Sequence, residues 1–138
     1  MNDMPYDAFT EGRPAQADRP LGRHLIAEFH GATDLYDPAG SEPVLAAAAA
    51  AAGATLLRTF AHDFGDREGF TAVAVLAESH ISLHTWPEHR YLALDIFMCG
   101  DAEPERALEV LRAHFRPAAV TARTLTRGHV PAAMPAPA

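Results

Sequence analysis

The chain has 138 residues, 49% of them apolar, a formal net charge of −7 and a single Cys. That is enough for one packed domain with a modest core, and the acidic balance with no basic block argues against nucleic acid as a partner. The longest strongly apolar stretch is too short to span a bilayer, residues 1–20 lack the apolar centre of a secretion signal, and one Cys cannot form an internal disulfide, so a cytoplasmic setting is expected.

Residues 1–20 read as a flexible N-terminal arm, broken by Pro5, Pro14 and Pro20 and without periodicity. Leu21–His30 reads as a strand, with Leu25 and Ala27 alternating against Ile26 and Glu28. Gly31–Gly40 reads as a loop. Ser41 is expected to cap a helix with Pro43 in its first turn, and Gly53 to stop it. The seven consecutive alanines, 46–52, imply a high-propensity helix lying close to a sheet, with no chemistry of its own.

Thr55–Ala61 and Phe70–Ala77 read as strands flanking a polar loop, His62–Gly69. Ser79–Trp86 and Tyr91–Cys99 read as a hairpin joined by Pro87-Glu88-His89-Arg90. Asp101 is expected to cap a second helix, Glu103–Phe115, with Leu108, Leu111 and Phe115 on one face and Pro117 beyond its end. Val120–Thr126 reads as the last strand, within a folded domain bounded at 21–128, and residues 129–138 as a flexible tail. Hairpins combined with two helices predict an α+β fold: a two-layer sandwich with a mainly antiparallel sheet and both helices on one face. A sheet with one uncovered face suits a dimer.

The reactive side chains concentrate between Ala77 and Glu88. A four-residue turn at 87–90 pairs Trp86 with Tyr91, His84 with Ala93, Ser82 with Asp95, His80 with Phe97 and Glu78 with Cys99. That register sets Ile81 and Leu83 on the same face as Leu92, Leu94, Ile96 and Met98, and leaves His80, Ser82, His84, Asp95 and Cys99 on the other. His80 and His84 would chelate a metal on a helix; on a strand they stand about 13 Å apart, so no metal is expected. Ser79, His84 and Asp95 include the residue types of a hydrolytic triad, but no Gly-x-Ser-x-Gly elbow surrounds Ser79. Taken singly, each of these residues reads as an ordinary sheet histidine or a small buried thiol. Ser79 and His84 are five apart, so a regular strand points them to opposite faces, and their cooperation needs a bulge or a break near Ser79.

Glu78-Ser79-His80-Ile81-Ser82-Leu83-His84-Thr85-Trp86-Pro87-Glu88, followed by Asp95-Ile96-Phe97-Met98-Cys99-Gly100, closely resembles the processing site of the bacterial-type S-adenosylmethionine decarboxylase proenzymes. Leu21–Phe29 is similar to that family's opening strand, and the resemblance covers roughly residues 20–128. It implies a self-cleaving precursor, cut between Glu78 and Ser79 into a β chain ending at 78 and an α chain starting at 79. Ser79 would become a pyruvoyl group, which forms a Schiff base with a substrate amine and accepts the electrons left by departing CO₂. By the same resemblance His84 is the processing base, Cys99 the acid that reprotonates the substrate carbon, and Thr71 keeps a hydroxyl for processing. Trp86, Glu88 and Phe64 match substrate-binding positions, and the site is implied to form at a homodimer interface. The expected reaction is decarboxylation of S-adenosylmethionine for spermidine biosynthesis; the alternatives are L-arginine or L-ornithine as substrate, or a non-catalytic regulatory homologue. Two departures from the family pattern stand out. Phe64–Ala72 lacks the usual Pro and replaces Ser-Gly by Thr71-Ala72, and His89-Arg90 stands where Tyr-Gly is usual.

Overall fold

The computed structural model describes residues 20–129 and 136–137, so the expected N-terminal arm and most of the tail lie outside the described residues. The chain runs β1 (Gly22–His30), α1 (Pro38–Ala51), β2 (Leu56–Asp63), β3 (Phe70–Leu76), β4 (Ser79–Trp86), a short 3₁₀ turn (Pro87–His89), β5 (Tyr91–Cys99), α2 (Pro104–Phe115) and β6 (Ala119–Arg127). The strands form one sheet in the order β2-β3-β4-β5-β1-β6, every pair antiparallel. The α+β sandwich is therefore as expected, and β4 and β5 lie at its centre.

Burial on β5 alternates strictly along the strand, the period-2 signature of a sheet with one covered face. The core side carries Ile81, Leu83, Leu92, Leu94, Ile96 and Met98. The ladder between β4 and β5 is the predicted one: Trp86 faces Tyr91, His84 Ala93, Ser82 Asp95 and His80 Phe97.

The helices cover the core side. Both pack against the sheet and against each other. On α2, Ala107, Leu111 and Phe115 are fully buried, while Leu108 is partly buried at the margin. Ala48 and Ala49 on α1 and Ala52 at its C-cap face inward; their small side chains let the helix approach the sheet, as the alanine run implied.

Both predicted caps are corrected. α1 starts at Pro38, with Asp37 as N-cap accepting the Gly40 N–H at 3.0 Å. Pro38 at the first helical position costs no hydrogen bond, because that N–H would be unpaired anyway. Ser41 lies inside the helix, fully buried, its hydroxyl donating to the Pro38 carbonyl at 2.5 Å. α2 takes Glu103, not Asp101, as its N-cap, with Pro104 next, and ends at Arg116 in a left-handed conformation before Pro117.

The opposite face of the sheet is uncovered. Ile26, Phe60, Val75 and Trp86 stand exposed on it, around a polar centre on β1, β4 and β5.

Candidate active site

The chain reverses between β3 and β4 through a two-residue turn, Ala77-Glu78, with Leu76 paired to Ser79 across it. Hairpins usually place glycine where a turn needs a positive φ. Here Ser79 takes it, at φ 137°. An L-residue held there stores strain of about 1–3 kcal/mol. The surroundings hold it in place. Glu78 carbonyl accepts the Cys99 N–H at 3.0 Å, Thr55 N–H donates to Glu78 Oε1 at 2.8 Å, and Ala77 N–H donates to the Thr55 carbonyl at 2.9 Å. The Glu78–Ser79 peptide is thus strained on one side and polarised on the other. Cys99 is half-buried beside it and free.

The other end of β4 carries a second group. Thr71 Oγ1 and His84 Nδ1 are hydrogen-bonded at 3.1 Å from adjacent strands. Trp86 follows His84 on the open face, stacked on Tyr91 at 5.3 Å, which stacks on His30 at 5.3 Å. Tyr91 donates its hydroxyl to Glu28; burial and then that carboxylate push its pKa up to about 12. Glu88 is exposed on the 3₁₀ turn and Phe64 on the β2–β3 loop, its ring edge-on to His62. Gly69 closes that loop at φ +104°. A Cβ there would meet the Thr85 carbonyl at 2.6 Å and Pro87 at 2.9 Å, so only glycine lets the loop pack beside the turn that bears Glu88.

Between these two ends lies a cluster the sequence did not reveal. Asp95 Oδ2 is 2.6 Å from His24 Nε2 and 2.9 Å from His80 Nε2, and Ser82 donates to its Oδ1. Burial alone would raise the Asp95 pKa; the hydrogen bonds from Ser82, His80 and His24 outweigh it and hold the carboxyl below its ordinary value. Sequence pairing set Ser82 opposite Asp95 and put His80 on the same face. It did not give His24, because nothing local announces that β1 lies against β5.

The predicted residues therefore divide into two groups. Ser79, Glu78 and Cys99 are together; Thr71, His84, Trp86, Glu88 and Phe64 are gathered toward the other end of the hairpins. β4 is paired on both sides from Ser79 onward, with a positive φ at that first residue, so Ser79 and His84 are about 16 Å apart along it, from the ~3.3 Å rise per residue. Freeing the chain at Ser79 moves one terminal residue by a few ångströms, which does not close that gap.

A six-stranded antiparallel sheet backed by two helices, with a strained hairpin turn at Ser79, defines a fold class, and comparison with known proteins supplies the family. The S-adenosylmethionine decarboxylase family pattern matches residues 23–128. The chain is 38% identical to a Thermomicrobium roseum S-adenosylmethionine decarboxylase proenzyme over 113 residues, covering 81% of this chain and 97% of that protein. With the Methanococcus vannielii proenzyme it shares 44% over 115 residues, 81% of this chain and 93% of the other. The crystal structure of the adenosylmethionine decarboxylase from Aquifex aeolicus superposes with a TM-score of 0.73 at 29% identity, over 86% of this chain and all of that one. The chain belongs to the S-adenosylmethionine decarboxylase family.

Proposed function

We infer that this chain is a self-processing decarboxylase of S-adenosylmethionine, cut between Glu78 and Ser79, whose working unit is a dimer of cleaved protomers. The observation that carries the cleavage is the Glu78–Ser79 peptide itself: Ser79 at φ 137°, with the Cys99 N–H on the Glu78 carbonyl.

The steps follow from those atoms. Ser79 Oγ attacks the Glu78 carbonyl carbon and gives up its proton to a base. The Cys99 N–H already points at the oxygen that gains charge; one such donor is worth about 10²–10³ in rate. Breaking the C–N bond leaves an ester and relieves the strain at Ser79. Loss of the Ser79 α-hydrogen expels the Glu78 carboxylate, and hydrolysis of the remaining terminus releases ammonia and leaves a pyruvoyl group on His80. That group supplies the carbonyl that takes up the substrate amine and draws electrons from the carboxylate being lost. The Cys99 thiol, one residue from the ladder partner of Ser79, is placed to return a proton to the substrate carbon.

His84, about 16 Å from its own Ser79, serves as base for a second copy. Consider a two-fold axis lying between two sheets packed open face to open face and crossing β4 over Ser82. It sets Ser79 of one protomer over His84 of the other, because Ser82 is near the midpoint of the two. The exposed Ile26, Phe60, Val75 and Trp86 become buried in such a pair. Each site then combines Ser79 and Cys99 from one copy with Thr71, His84, Trp86, Glu88 and Phe64 from the other. Trp86 offers a ring face to the adenine and Glu88 a carboxylate to the ribose hydroxyls.

The test is CO₂ release from carboxyl-labelled S-adenosylmethionine, L-arginine and L-ornithine on protein shown by denaturing mass spectrometry to be two fragments. Release from S-adenosylmethionine alone is expected; release from either amino acid alone would overturn the substrate. For the shared site, Ser79→Ala and His84→Ala chains are co-expressed. Ser79→Ala alone should stay whole and His84→Ala alone should cleave about 10²–10⁴-fold slower, while the mixture should cleave the His84→Ala chain at close to the wild-type rate. A mixture that cleaves no faster than His84→Ala alone would place His84 with its own Ser79.

A further inference from the structure

The proposed reaction does not use the cluster at the centre of the open face. Asp95 there holds two imidazoles and a hydroxyl from three different positions: His24 on β1, His80 and Ser82 on β4. The ligand atoms of His24, His80 and Asp95 lie within 4.8 Å of one another, which raises the question of a cation. Arg127 answers it. Its Nη1 is 3.3 Å from His24 Nδ1, and a guanidinium can only donate, so Nδ1 is the acceptor. In that tautomer Nε2 carries the proton and donates it to Asp95, and the three side chains hold one another. Metal-binding histidines show the reverse polarity, their second nitrogen donating outward. The cluster is a hydrogen-bonded hub.

Its position gives it a task. In the whole chain, residue 79 is held from both sides: by the turn at 77–78, pinned to Thr55 and Cys99, and by β4. Cutting the Glu78–Ser79 bond removes the first of these. Residue 79 becomes a chain terminus, and termini are poorly ordered unless something ties them down. The next residue is His80. Its ring is bound to Asp95 at 2.9 Å and set edge-on to Phe97 and His24 at 6.0 and 5.9 Å. Asp95 is itself fixed by Ser82 and His24, so the tie runs into the middle of the sheet and does not pass through the bond that is cut.

We propose that Asp95 and His80 are positioning residues that anchor the new α-chain terminus after cleavage, keeping the group at position 79 aimed at the substrate. This rests on the cleavage reading above. Before the cut the turn also holds residue 79; after it, the hub is the nearest side-chain tether.

The experiment compares Asp95→Asn and His80→Phe with wild type, each cleaved, and repeats both in the Ser79→Ala background, which stays whole. His80→Phe keeps a ring in place and guards against a fold that fails for lack of packing. Both variants are expected to cleave into the wild-type fragments. Their kcat is expected to fall roughly 10–100-fold with little change in KM, the loss that misplacement of a reacting group by about 1 Å produces. Amide hydrogen exchange at residues 80–82 should rise in the cleaved variants and match the Ser79→Ala parent in the whole ones. Equal kcat and equal exchange in the cleaved forms would overturn the proposal. So would exchange that rises as much before the cut as after it, since the hub would then be a general support. A wild-type chain that never cleaves would overturn the earlier reading, a result visible before any variant of the hub is made.

Discussion

The two ends of β4 differ in what they are made of. At the Ser79 end the key contacts involve the main chain: the Cys99 N–H on the Glu78 carbonyl, the Thr55 N–H on Glu78, and a positive φ at a serine. At the Trp86 end they are side chains: the Thr71–His84 hydrogen bond and the stack of Trp86, Tyr91 and His30. A backbone donor survives replacement of the side chain beside it; a side-chain donor does not. One end should therefore tolerate substitutions that disable the other, and mutation can test this unequal dependence.

The largest effect is expected from Ser79→Ala, which removes the proposed attacking oxygen and should leave a single 14.8 kDa chain by denaturing mass spectrometry. A cut at the same place would show that another group attacks. His84→Ala comes next: loss of a general base should slow cleavage about 10²–10⁴-fold while circular dichroism stays native, and unimpaired cleavage would remove His84 from processing. Cys99→Ala probes the contrast directly. It keeps the N–H on the Glu78 carbonyl, so cleavage should run near the wild-type rate, while decarboxylation falls by about 10²-fold or more with the proposed proton donor gone. Cleavage and turnover failing together would mean that the thiol, and not the amide alone, acts in the cut.

The smallest effect belongs to the middle of the strand. Asp95 titrates below its ordinary value of 3.8 in the folded protein. A depressed carboxyl pKa stabilises the fold fully above the unfolded value, and the gain is lost as pH falls from there through the lowered native value. Thermal melting of wild type against Asp95→Asn should thus show a constant gap down to about pH 5 that closes only in stronger acid. A gap that closes between pH 7 and 5 would assign it to the histidines instead.

Much of this was legible in the residues. Strict alternation of Leu92, Leu94, Ile96 and Met98 against Ala93, Asp95 and Phe97 fixed the β4–β5 register, because a one-residue slip would turn that whole set outward. The alanine run and the Leu111–Phe115 face located both helices. The caps were misread for a local reason: Ser41 and Asp101 are good capping types, but Asp37-Pro38 and Glu103-Pro104 place a proline at the first helical position, and proline's fixed φ starts the helix there.

The sequence by itself determined the strands, the hairpin pairing and the family, since each is written in neighbours along the chain or in one uninterrupted motif. Only the tertiary structure decided that β1 lies between β5 and β6, bringing His24 to Asp95 from 71 positions away and Arg127 to His24 from 103. It alone decided that Thr71 stands against His84 across the β3–β4 ladder and that Ser79 takes a positive φ. Spacing in sequence gives a distance only once the backbone is known to be extended, and which distant strands become neighbours is set by how the whole core packs.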